Sequence, residues 1–136
     1  MTDRFYSRMF LLAALWNVIA TVAGLAFYQF QLQLFFGSEA YTNCFYQALF
    51  YRIAITAVLI FGIGYYMVSR QITANRGIVW LGALGKLSLF CAFTCFFISG
   101  KVTAIAFVLA LGDLVWATLF LMFLFQTRDR IQYSTK

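Results

Sequence analysis

The chain contains no histidine and no proline, and only 10% of its 136 residues are charged. Without histidine it lacks the side chain most used for acid–base work and metal ligation near neutral pH. Without proline, no helix can be kinked by that residue. The four acids, Asp3, Glu39, Asp113 and Asp129, are scattered, and only Asp113 falls within an apolar run. Intramembrane carboxylate-pair chemistry is thereby excluded. The three cysteines, Cys44, Cys91 and Cys95, form no C-x-x-C. Cys91 and Cys95 lie four apart on one helical face and read as small apolar side chains rather than a redox pair. No phosphate loop and no recognisable nucleophile motif occurs. Neither a cofactor nor a metal centre is expected, and an enzyme working through Asp113, Lys86, Arg52 and tyrosines is the last choice among functional readings.

Apolar side chains are abundant instead, at 64% of the chain. A soluble domain has roughly 45–50% apolar and about 25% charged residues. This chain has too few polar residues to cover a water-facing surface, so its apolar excess must meet the lipid bilayer. Four runs are long enough to cross about 30 Å of hydrocarbon as helices, which takes roughly 20 residues each. They cover residues 9–30, 45–68, 77–99 and 102–126. The first is too long for the apolar core of a signal peptide, about 7–15 residues, and is read as a retained span. None alternates as a membrane strand would. The expected fold is all-α, a single-domain four-helix transmembrane bundle. Residues 31–44 form the longest connection, and its start is expected at the membrane interface. Gly100 and Lys101 barely separate the last two runs, which predicts a tight antiparallel hairpin.

The net charge of +6 does not point to nucleic acid, because the basic residues flank the spans and form no patch interleaved with aromatics. Under four spans, Arg4, Arg8, Arg70, Arg76, Arg128, Arg130 and Lys136 fall on one side and only Lys101 on the other. The positive-inside rule then places both termini in the cytoplasm. Trp80, Tyr28, Tyr46, Tyr65 and Tyr66 lie near span ends, as in an interfacial aromatic belt.

Three charges lie within spans, where each costs about 2.5–3.5 kcal/mol at the bilayer centre on insertion scales. These are Arg52, Lys86 and Asp113; Asn17 adds an amide. At about 1.5 Å per residue, Lys86 is about 13 Å deep from the cytoplasmic side, Asp113 is near the midplane and Arg52 is about 10 Å from the outer surface. Asp113 is therefore expected between the two cations. Helical spacing groups Asn17, Thr21, Gly24 and Tyr28 on one face, and Arg52, Thr56, Leu59 and Tyr66 on another. Ala106, Ala110, Asp113 and Ala117 form a small-residue stripe, of the kind that lets helices approach closely. Two readings follow. In one, Asp113 pairs with a cation and fixes helix register. In the other, Arg52, Lys86, Asp113 and Asn17 line a site that binds or transports a small anionic or lipid-like ligand. The alternative is an accessory or assembly subunit of a membrane complex, whose small-residue faces dock a membrane-protein partner or a second copy and whose ion pair is purely structural.

Other four-span families fit poorly. Small multidrug transporters depend on an acid in the first span, where this chain has Asn17. The membrane glutathione-transferase-like proteins carry a polar motif in the second span, but Arg52 has no acidic neighbour. Tetraspanin-like proteins need a large cysteine-rich loop. The stretches GIGYY at 62–66, NRGIVWLGALGK at 75–86 and LGDLVWATLF at 111–120 resemble a pattern in small, uncharacterised bacterial four-helix membrane proteins. The resemblance covers about half of the chain. It implies a fold and a bacterial inner membrane, and no activity.

Overall fold

A computed structural model describes residues 2–37 and 45–128. Cys44, Arg130 and Lys136, placed above from the sequence, lie outside the described residues. Five helices follow one another: α1 (Asp3–Ala26), α2 (Tyr28–Phe36), α3 (Phe45–Arg70), α4 (Arg76–Ile98) and α5 (Ala104–Gln126). Among the described residues there is no strand. All but α2 are long and apolar enough to cross a membrane.

The first apolar run does not end where composition suggested. Helix α1 stops at Ala26, Phe27 leaves helical geometry at φ −121° and ψ 38°, and the chain continues as α2 until Gly37 turns it with φ +76°. Nothing in the sequence marks the change of direction at Phe27 itself, although Gln29, Gln31 and Gln33 make α2 more polar than the apolar stretch of α1 before it. The last connection is as short as expected. Gly100 adopts φ +70°, and the Thr103 side chain caps α5 by accepting from the Ala106 N–H at 3.2 Å.

Helix α1 packs along α3, and α4 along α5, so the molecule is two helical hairpins. They join through one continuous core at the arginine-rich end. There the Phe10 ring stacks on Phe120 at 5.2 Å, Tyr65 meets Phe120 edge-on at 4.9 Å, and Tyr6 meets Phe123 at 4.9 Å. Tyr6 also donates to Gln126 Oε1 at 2.6 Å, and Ser7 Oγ to the Ser69 carbonyl at 2.8 Å. These contacts bring the start of α1 and the ends of α3 and α5 together. The continuous core cluster lies in this half of the molecule, while Leu32, Val102, Ala106 and Ala110 are buried towards the other. Towards the Lys101 end, α2 forms a second bridge: the Phe35 carbonyl accepts from Thr103 N–H at 2.8 Å, and the Phe35 ring meets Phe93.

Tyr65 is not a belt residue. It is 1% exposed, and its hydroxyl end lies so close to Gly82 that a Cβ there would come within 2.6 Å. Gly82 is what lets α3 and α4 close around this ring. Tyr46 and Tyr66 are exposed, while Tyr28 meets Tyr51 edge-on at 4.9 Å.

Candidate functional site

Lys86 rises from α4 and Asp113 from α5, each near the middle of its helix. Lys86 Nζ and Asp113 Oδ1 are 2.7 Å apart, with side chains 10% and 18% exposed. Lys86 extends the buried stripe Val79, Gly82 and Ala83 outward by one turn. Asp113 interrupts the buried series Ala106, Ala110, Ala117 and Phe120. It lies two turns before Phe120, and seven residues of α-helix return to within about 20° of the same direction. The carboxylate thus shares the face whose Phe120 ring packs against Phe10 and Tyr65 of the other hairpin.

The pair is neutral as a unit, but its hydrogen-bonding capacity is not filled. An ammonium carries three donors and a carboxylate about four acceptor positions. Among the described residues one bond joins them, and no other protein group reaches the second carboxylate oxygen or the remaining ammonium protons. Polar capacity left open in hydrocarbon is unfavourable unless water or a polar group supplies it.

Asn17 is buried at 4% exposure and serves its own hairpin. Its Nδ2 donates to the Val58 carbonyl at 3.0 Å, and its Cβ would sit 3.1 Å from a Cβ on Gly62. Thr21 Oγ1 donates to the Asn17 carbonyl at 2.8 Å. Tyr51 donates to the Gly24 carbonyl at 3.2 Å and to the side chain of Gln31.

Arg52 stands apart. It is exposed on α3 and forms no ion pair among the described residues, so Asp113 is not held between two cations. The reason is angular. Helix α3 turns Gly62, Val58 and Tyr51 towards α1, and Gly64 and Tyr65 towards α4, with Phe61 beside them. Arg52 is nine residues from Phe61, which at 3.6 residues per turn is about half a turn away. The face holding Arg52, Thr56 and Tyr66 consequently points outward, and all three are exposed. Equal spacing identified a shared face but not its direction.

Sequence reasoning also missed Arg76. Its guanidinium turns back onto the end of α5, donating to the Leu124 carbonyl at 2.6 Å and to Thr127, and lies 5.8 Å from the Phe123 ring centre. A cation bonded to the last carbonyls of a helix is a favourable cap. The cysteines Cys91 and Cys95 are free and exposed on α4 rather than packed.

No protein-family model, curated protein or solved structure matches the chain.

Proposed function

We propose that the protein is a non-enzymatic, multi-pass membrane protein that binds an amphipathic or lipid-like ligand between its two hairpins, with the ligand's polar group on the Lys86–Asp113 pair. The four spanning helices form a four-helix bundle with both termini in the cytoplasm, in a bacterial inner membrane. One observation carries the ligand reading: a half-occupied ion pair at mid-span faces the neighbouring hairpin just beyond the end of the shared core. A group with both a donor and an acceptor, such as a hydroxyl, an amide or a protonated acid, would complete it. Apolar chains beyond that group would lie among the outer halves of α3, α4 and α5, where Phe50, Ile53, Leu89 and Val108 are exposed. Asn17 supports this site by fixing α1 against α3.

Native mass spectrometry of the protein released gently from detergent tests the reading. A small bound mass is expected on wild type and on Arg52→Ala, and is expected to be lost from Asp113→Asn. Retention by Asp113→Asn would reject the site.

Arg52, exposed and without an ion pair among the described residues, favours a second reading, an accessory or assembly subunit whose Arg52 meets an acid on a partner protein or on a second copy. Purification in mild detergent would then give a complex that Arg52→Gln dissociates. A monomer free of other proteins would count against it.

A further inference from the structure

The arginine-rich end holds a second constellation, independent of the central pair. The first turns of α1, the last turn of α3 and the connection after it line an open surface depression of about 480 Å³. Arg4 and Arg8, one helical turn apart on α1, and Arg70, the last residue of α3, all line it. All three are exposed, and none forms an ion pair among the described residues. Ser7 lies between the first two, and its bond to the carbonyl of buried Ser69 fixes the spacing of α1 from α3. Thr73 adds a hydroxyl to the lining. Asp3 is also present, but it already has an interaction of its own.

Three exposed arginines and one acid line the hollow, so it carries a surplus of positive charge that favours an anion. Arginines that serve only as interfacial anchors need not share a hollow, and Arg76 at the same end is satisfied instead by backbone and Thr127. The planar guanidinium fork matches phosphate oxygens two at a time, and hydroxyls complete such sites. The hollow lies where the spans end, at the level of lipid headgroups, and an anionic leaflet concentrates phosphate there.

We propose that this hollow is a phosphate-binding site formed by Arg4, Arg8 and Arg70, with Thr73 as a hydroxyl partner and Ser7, its proton held by the Ser69 carbonyl, setting the spacing of α1 from α3. Its ligand is a phosphate monoester or an anionic phospholipid headgroup.

The test is thermal unfolding of the full chain in detergent, titrated separately with dioleoyl phosphatidic acid, dioleoyl phosphatidylcholine and inorganic phosphate. Ligand bound only to the folded protein raises the unfolding midpoint. Phosphatidic acid is expected to raise the wild-type midpoint at concentrations about tenfold lower than the triple variant Arg4→Gln, Arg8→Gln, Arg70→Gln requires, an order-of-magnitude expectation for lost charge-assisted bonds. Phosphatidylcholine should have no such effect. The control Lys101→Gln, Arg128→Gln should respond as wild type does. An equal contrast with inorganic phosphate identifies free phosphate as a sufficient ligand, and a contrast seen only with phosphatidic acid identifies the lipid headgroup. Equal responses of wild type and the triple variant would overturn the site, as would an equal loss in the control. If the triple variant does not fold, Arg70→Lys decides, since it keeps the charge and removes the fork: a several-fold weaker response supports the site and an unchanged one overturns it.

Discussion

Helices α1 and α3 are held together by neutral groups. Glycines at 24 and 62 bring the backbones close, and Asn17, Thr21 and Tyr51 donate to carbonyls across or along the interface. Helices α4 and α5 instead use alanines, a stacked Phe97–Phe107 pair at 4.6 Å and one ion pair. Both solutions let helices approach in a solvent that gives them no hydrophobic reason to associate. They differ in what remains unsatisfied. An amide bonded to a carbonyl is largely satisfied, whereas a single contact between Lys86 and Asp113 leaves capacity over. The first hairpin therefore resembles a scaffold, and the second carries the group able to do something further.

The contrast can be broken most severely at the pair. Asp113→Ala should destabilise the protein by about 3–5 kcal/mol, because it strands a buried ammonium. The midpoint and slope of detergent-induced unfolding, followed by tryptophan fluorescence, would measure this. The neutral double variant Lys86→Met, Asp113→Leu should lose much less than Asp113→Ala, since no charge is left alone. Next in size is Gly82→Ala, expected to cost about 1–3 kcal/mol by overpacking against the rigid Tyr65 ring. Adding Tyr65→Phe, which removes the clashing oxygen, should recover part of that loss in the same assay. Asn17→Ala removes one neutral hydrogen bond in the scaffold hairpin and should cost about 0.6–1.7 kcal/mol, the range found for such bonds within membranes. Smallest is Arg52→Gln, with a change of about 0.5 kcal/mol or less, as for a surface site, since Arg52 has no ion pair among the described residues. If Arg52→Gln destabilised the isolated protein as strongly as Asn17→Ala, its outward placement would be wrong.

How much of this was legible in the sequence varies with the kind of information involved. Four long apolar runs and the absence of alternation dictate membrane-crossing helices, because lipid penalises any other arrangement of the backbone. The opposite charges of Lys86 and Asp113 within otherwise apolar segments likewise announced an interaction. The break at Phe27 was not legible, since nothing in the sequence marks a change of direction there. Nor was the direction of α3. Its spacing groups Arg52 with Thr56 and Tyr66, but which face turns inward is decided by where Gly62 and Gly64 admit α1 and α4. Tyr65 was misread for the same reason. Its position near a span end suggested the interface, while its fit over Gly82 places it in the core.

The central claim is that the Lys86–Asp113 pair does more than hold two helices together. Native mass spectrometry of the double variant Lys86→Met, Asp113→Leu beside wild type, with helicity and unfolding midpoint measured on the same preparations, tests it most directly. A variant that stays folded and emerges bare, beside a wild type carrying a small bound mass, is the predicted result. The same bound mass on both proteins, or a bare wild type, would contradict the claim and leave the pair a structural clasp.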